Sequence, residues 1–466
     1  MSTKSNRDFR PKYHYAPPAG WINDPNGLTY ENGTWHLFAQ HYPHDGVWGP
    51  MHWIHATSTD LLTWEPQGVP LAPDHLGLIF SGSAVIDEGN TSGLGKEKDP
   101  MIAMYTSHGE FEQQSIAFSE DRVNFTTYEG NPVIPNSNLK DFRDPKVFRN
   151  KIDNCWTVVL ATGDHVDFYA SKDLIHWEKT GEFGATENTL GGVFECPDLF
   201  PLTAPDGSEL WVLIASMALP REFGGSRTQY FLGQFDGKTF TETVTSPKAK
   251  LIDTGYDNYA AVSFSGAEKP IIIGWGTSWC YADKEPTNEF CGVMTYAREM
   301  ALINTDEGIR LTNKPITPNF SMTPAVEVPI EHERRFLPVI SKAPLPGEVF
   351  SAHIEAEGAF TLTLSNGKGE ALRVSLDNEH RFVIDRTNSG MRDFHPLFNQ
   401  GLMGVTITPR MMNGKVTLDL YFDRMIAEIF ADEGTFTNTQ LVFPTEPYTE
   451  ASIIGKAKLW VGAPEA

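Results

Sequence analysis

Cysteine is scarce in this chain. Four residues, Cys155, Cys196, Cys280 and Cys291, are spread over 466 positions, and no two stand at a Cys-x-x-Cys spacing. Neither a disulfide framework nor a zinc site follows from them. A reducing, cytoplasmic setting is the expectation. Basic charge is short as well: 37 Lys and Arg face 60 Asp and Glu, a net charge of −23. Such a surface repels phosphate backbones and anionic lipid, so neither nucleic acid nor membrane is an expected partner. No apolar run approaches the roughly 20 residues of a membrane-spanning helix. The opening MSTKSNRDFRPKYHY lacks the apolar stretch of a secretory signal. Long helical periodicity is missing too.

What the chain does hold is aromatic residues, 12% of the total, with 40 Gly and 32 Pro. Short runs of Val, Ile, Phe, Tyr, Trp and Thr are bounded by Gly, Asn, Asp and Pro. That pattern predicts an all-β protein. Two repeats refine it. Ser58-x-Asp60-x-x-x-Trp64, Ser119-x-Asp121-x-x-x-Phe125 and Ser171-x-Asp173-x-x-x-Trp177 share one form. Each follows a short apolar strand, and its Ser and Asp suit a turn. Out of phase with it, Asp24, Asp144 and Glu195 each precede a Trp (Trp35, Trp156, Trp211) on the following strand. Weaker copies start at Phe80 and Tyr259. Five β-units of about 50–60 residues predict a five-bladed β-propeller over 1–313.

Seven prolines crowd residues 314–346, which reads as an extended linker. Short alternating strands resume near Glu348, so 347–466 is expected to be a C-terminal β-sandwich. It carries no catalytic motif. Its expected role is to cover the propeller or to form an interface in a homo-oligomer.

In a propeller the innermost strands surround the axis, so equivalent residues converge. Asp24, Asp144 and Glu195 would meet at one end of the channel. Three close carboxylates can bind a hard cation or cleave a glycosidic bond. Like charges held together raise at least one pKa, which supplies a protonated acid near neutral pH. The neighbourhood favours sugar chemistry: Trp21, Trp48, Trp53, Phe80 and Trp279 offer aromatic faces, and Asn23, Gln40 and Arg143 offer polar contacts. His36, His41, His44, His52 and His55 show no metal-ligand spacing. No metal or other cofactor is expected.

Trp21-Ile22-Asn23-Asp24-Pro25-Asn26-Gly27 resembles the nucleophile motif of glycoside hydrolase family 32, the β-fructofuranosidases. Arg143-Asp144-Pro145 and Glu195-Cys196-Pro197-Asp198 are similar to two further motifs of that family, and Phe80-Ser81-Gly82-Ser83 to another segment. The resemblance runs from about Tyr13 to Trp279, with a weaker part at Ala427–Pro444. It implies a five-bladed propeller followed by a sandwich. It implies Asp24 as nucleophile, Glu195 as general acid/base and Asp144 as transition-state stabiliser. Asn23, Gln40, Trp48, Phe80, Ser81, Arg143 and Trp279 would line the fructose subsite. Ile22, Ala39 and Ile54 depart from the usual pattern, and Ile54 lies near where an aglycone would sit.

The expected function is that of a retaining β-fructofuranosidase acting on sucrose and short fructo-oligosaccharides. A sucrose-6-phosphate hydrolase is the alternative within the class, and a fructosyltransferase ranks third. A non-catalytic sugar-binding propeller and a metal-stabilised propeller are the alternatives outside it. The expected partner is a small sugar.

Overall fold

Both faces of most strands are apolar, and the reason is visible in the computed structural model. It describes residues 6–136, 138–184, 186, 188–221, 225–327, 340–399 and 403–465. Five antiparallel sheets stand around an axis like wedges. Blade one comprises Gly20–Glu31, Thr34–Tyr42, His52–Ser58 and Glu65–Leu71; blade two Leu78–Ile86, Met101–His108, Glu112–Ser119 and Thr126–Thr127. Blade three comprises Arg143–Asn150, Cys155–Thr162, His165–Ser171 and Glu178–Gly184; blade four Val193–Thr203, Glu209–Ala218, Arg227–Phe235 and Phe240–Val244. Blade five is Tyr259–Ser263, Ile271–Trp275, Arg298–Thr305 and Gly308–Pro315. The first strand of each blade is innermost and touches the first strand of the next, so the ring closes.

A wedge buries both faces, so its middle strands read as unbroken apolar runs. Every residue of Cys155–Thr162 is buried. Each blade-to-blade gap has its own core. Phe38, Trp53 and Tyr105 fill the first gap, Val85, Met104 and Val158 the second, and Phe168, Leu213 and Phe231 the third. Ile214, Ile272 and Leu302 fill the fourth, and Ile22, Leu37 and Ile273 the seam between blades five and one.

The Ser-x-Asp repeat forms the same turn three times. Ser58, Ser119 and Ser171 donate to Asp60, Asp121 and Asp173 at 2.9, 2.9 and 3.0 Å. Each aspartate accepts two backbone N–H bonds from the residues that follow. Leu61, Arg122 and Leu174, one residue on, take the same left-handed φ of 63–66°. Blade four keeps a remnant in Asp236, which accepts from Lys238 and Thr239. The serine is missing there, which hid it in the sequence.

The expected linker is partly strand. Phe320–Met322, Val326–Glu327 and Ser341–Pro344 each pair with the last strand, Glu450–Pro464. They lie at its edge, where proline is tolerated. Pro329 and Pro338 lie outside the described residues. The second domain is a sandwich built on one bent pair of strands. Val349–Ser365 is one continuous strand. Its first half pairs with Val416–Asp423 and its second with Ala371–Leu376, while Glu450–Pro464 follows it through a bulge between Ala356 and Phe360. Gly455 permits the bend: φ is +113°, and a Cβ would lie 2.4 Å from the Ala359 carbonyl oxygen.

Charged groups are buried where the domains meet. Arg298 of blade five reaches Glu428 of the sandwich at 2.6 Å and Asp253 at 2.9 Å. His14 lies between Asp423 at 2.9 Å and Glu428 at 3.1 Å. Arg386 of the sandwich binds Asp257 at 2.5 Å. Arg386 lies over the rings of Tyr281 and Phe398, which belong to an apolar cluster with Phe9, Phe290, Ile426 and Phe443.

Candidate active site

All five inner strands lose register at the same height. The breaks fall between Ile22 and Pro25, Ile79 and Gly82, Arg143 and Lys146, Glu195 and Asp198, and Tyr259 and Val262. Extra residues in a strand disrupt its ladder and re-aim its side chains. Here they are Asn23-Asp24, Phe80-Ser81, Asp144-Pro145, Cys196-Pro197 and Ala260-Ala261. Asp144, Cys196 and Ala260 have φ of 65°, 42° and 53°, a region L-residues seldom adopt. Pro25, Pro145 and Pro197 fit there because the ladder needs no N–H at those points. The Asp-Pro pairs are thus bulges within strands, not the turns such pairs usually mark.

The bulges bring Asp24 and Asp144 to one thiol. Cys196 Sγ lies 3.4 Å from Asp24 Oδ2 and 3.6 Å from Asp144 Oδ2. Both oxygens of Asp24 are held: Ser81 Oγ donates to one at 2.6 Å and Asn23 Nδ2 to the other at 3.0 Å. Asn23 is itself oriented by the Trp21 indole N–H at 2.8 Å. The Cys196 backbone N–H donates to Asp144 at 3.0 Å. Glu195 accepts from Arg143 Nη2 at 3.0 Å and from the Tyr259 hydroxyl. Arg143 also meets Asp141 at 2.8 Å and Glu112 at 3.1 Å. Arg143 thereby joins Glu195 on the inner ring to Glu112 on the third strand of blade two.

Burial raises Asp144, Arg143 pulls it back, and the charges of Glu195 and Asp24 push it up again, to about 8. Burial also raises Glu195, against the lowering pull of Arg143 and of the Tyr259 hydrogen bond. Asp144 is the deeper group, 5% exposed. The Glu195 side chain is 21% exposed.

The other expected site residues divide by place. Phe80 forms a wall, stacked on His108 with centroids 4.0 Å apart. Trp48 meets Phe80 edge-on at 6.4 Å and is exposed. Trp279 leans on Trp275 and Trp21 at 4.8 and 5.8 Å. Gln40 is buried opposite Trp53, and its Nε2 has no hydrogen-bond partner. Four residues of the network were not expected. Cys196 stood inside a quoted motif, and Tyr259 opened a weak repeat copy. Equivalence of the five inner strands was signal enough for both. His108 and Glu112 lie on second and third strands, where an inner-strand repeat gives no signal.

Beside Asp144 lies a cavity of about 10 Å³, also lined by Asn26, Ser83, Lys146, Pro197 and Ser263, room for about one water. Lys146 binds Asp198 there at 3.1 Å and the Ser263 carbonyl at 2.5 Å. On the outer strands of blade three, His165, Asp167 and Glu182 lie close enough to share a cation. The Lys179 ammonium already sits 2.8 Å from Asp167 and 3.1 Å from Glu182. All four cysteines are buried, and no disulfide joins them. Among the described residues no helix is long and apolar enough to cross a membrane.

Comparison with known proteins agrees with this geometry. Residues 14–315 match the Glycosyl hydrolases family 32 N-terminal domain and residues 322–459 the Glycosyl hydrolases family 32 C terminal. A levanase of Bacillus subtilis (strain 168) is 38% identical over 472 residues, covering 95% of this chain and 68% of its own. An extracellular exo-inulinase of Aspergillus ficuum is 34% identical over 497 residues, covering 96% and 92%. The crystal structure of exo-inulinase from Aspergillus awamori matches with a TM-score of 0.87 at 30% identity, covering 99% of both chains.

Proposed function

The chain belongs to glycosyl hydrolase family 32, and on that footing we propose that it is a retaining β-fructosidase. It removes the terminal β-fructosyl unit from sucrose and fructo-oligosaccharides. The names of its relatives, levanase and exo-inulinase, extend the proposal to fructan chains. The observation that carries it is the set of three carboxylates gathered at equivalent bulges, Asp24 and Asp144 within theirs and Glu195 beside its own, with both oxygens of Asp24 already oriented.

The Asp24 carboxylate attacks the anomeric carbon of the fructosyl ring. The bond from that carbon to the bridging oxygen breaks, and Glu195 gives its proton to the departing oxygen. Water then attacks the same carbon and loses a proton to Glu195, which frees Asp24. Glu195 fits the donor's place because it is more exposed than Asp144. Asp144, pushed up to about 8 by burial and by the charges of Glu195 and Asp24, hydrogen-bonds the ring hydroxyls. The relatives named extracellular lend no support to the cytoplasmic setting expected from the sequence.

Fructose released from sucrose, kestose, inulin or levan should appear first as the β-anomer when followed by NMR. Initial release of the α-anomer would end the double-displacement reading. A second test concerns Tyr259. Its hydroxyl stabilises ionised Glu195, so Tyr259→Phe raises the Glu195 pKa. The working form is the protonated acid. The alkaline limb of kcat/KM should therefore move up by roughly one pH unit. A limb that stays put would remove Glu195 from the acid's role.

A further inference from the structure

The inner strands of blades three and four are joined twice, once on each side of their bulges. On one side Arg143 donates to Glu195 at 3.0 Å. On the other Lys146 meets Asp198 at 3.1 Å. Lys146 and Asp198 are the residues at which the two ladders resume, opposite Val159 and Ile214. Between these rungs lie Asp144-Pro145 and Cys196-Pro197, which take no part in the ladders. Inside the frame the Asp144 N–H donates to Thr106 Oγ1 at 2.9 Å, and its carboxyl accepts the Cys196 N–H at 3.0 Å. The place of Asp144 relative to blade four is thus set by that one accepted bond and by the two rungs.

The rung at Lys146 lies deep. Lys146 is 5% exposed and Asp198 is fully buried. Asp198 also accepts the Leu199 N–H at 2.7 Å and the Ser263 N–H at 2.5 Å. The ammonium reaches on to blade five, where it donates to the Ser263 carbonyl at 2.5 Å and to its hydroxyl at 3.1 Å. One side chain therefore ties three inner strands together beside their bulges. The two preceding joints use neutral groups. Asn26 Oδ1 accepts the Gly82 N–H at 3.0 Å, and Ser83 Oγ accepts the Val147 N–H at 2.8 Å. Burying an ion pair costs desolvation, and well-packed apolar residues of like volume often serve stability as well. Stability alone gives no reason for a charged pair here. What the pair supplies is a directed tie of fixed length between the strands that carry Asp144 and Glu195.

We propose that Lys146 is a positioning residue for the reaction, whose rung with Asp198 holds Asp144 in its place beside Glu195. This rests on the fructosidase reading above. Lys146 acts through Asp144 and not on the sugar.

The test is steady-state hydrolysis of sucrose by Lys146→Met and by Lys146→Met/Asp198→Asn, each with urea unfolding. The double variant leaves no buried charge stranded and still accepts the Ser263 N–H. A shift of about 1 Å in a reacting group costs roughly a hundredfold in rate. In Lys146→Met kcat should fall by about that factor while KM stays within about threefold of the wild type. In the double variant the urea midpoint should return toward the wild type, and kcat should stay low. A folded double variant with kcat within about threefold of the wild type would overturn the proposal, because the pair would then be a stabilising contact only. So would a rise in KM with kcat unchanged, which would place Lys146 in substrate binding. Failure of both variants to fold would make the pair part of the folding core and overturn the positioning role as well. If the wild type frees no fructose from sucrose or kestose, the fructosidase reading itself fails and the role of Lys146 falls with it.

Discussion

Asp24→Asn should leave essentially no turnover, whether the substrate is sucrose or an activated aryl fructoside. An amide cannot form the covalent intermediate, and losing a nucleophile costs on the order of 10⁵–10⁶ in rate. Glu195→Gln should behave differently. Proton donation is worth roughly 10²–10⁴, so sucrose hydrolysis falls by that much. An aryl leaving group needs little protonation, and its departure should suffer far less. External azide sharpens the distinction, because it intercepts a fructosyl-enzyme whose acid/base is missing. Glu195→Gln should then yield fructosyl azide. Azide rescue of Asp144→Asn in place of Glu195→Gln would make the deeper carboxyl the proton donor. Fructosyl azide of retained configuration from Asp24→Asn, with no effect of azide at Glu195→Gln, would invert the assignment of nucleophile and acid; azide of inverted configuration would only mark direct displacement in place of the missing nucleophile.

Arg298→Met should destabilise the protein by about 3–5 kcal/mol, because it strands Glu428 and Asp253 as buried charges without their cation. The loss is read from urea unfolding, and an unchanged midpoint would show the pair to be solvated. Stability supplied by this cluster also depends on pH. Burial alone would lower His14, but hydrogen bonds to Asp423 and Glu428 outweigh it and raise its pKa above 6.5. A raised histidine contributes fully below its unfolded value and loses that contribution as pH rises through its folded value. Burial alone would raise Asp423, but His14 and backbone N–H groups hold it below 3.8. Burial likewise works against Glu428, which Arg298 and His14 hold below 4.5. Their contribution is present above those values and lost as pH falls through the folded ones. The cluster should stabilise most between roughly pH 5 and 6.5. His14→Ala should flatten the alkaline side of that dome.

The ring of blades was legible because a propeller repeats its local chemistry. Trp35, Trp156 and Trp211 mark the same strand in three blades, and Asp24, Asp144 and Glu195 the same height on the axis. The bulges were not legible. An Asp-Pro pair looks alike in a turn and in a broken ladder, and only pairing with a neighbour decides which. Tyr259 was passed over because its copy of the repeat carries no acid. Glu112 reaches the site through Arg143, a contact between blades that no local pattern records. The prolines of 314–346 concealed short strands whose partner, Glu450–Pro464, lies more than a hundred residues away in the chain.

Four joints of the five-part ring are crossed by the chain itself. The fifth is a clasp. Phe290 and Cys291 lie parallel to Gly20 and Trp21, and Thr29 meets Ser265 further down. The catch of that clasp lies three residues from Asp24. Opening of the circle at its buckle would displace Asp24 while the other four joints still hold. Activity lost at a lower denaturant concentration than the blades' circular-dichroism signal is the expected result, and coincident transitions would show the seam to be no weaker than the rest.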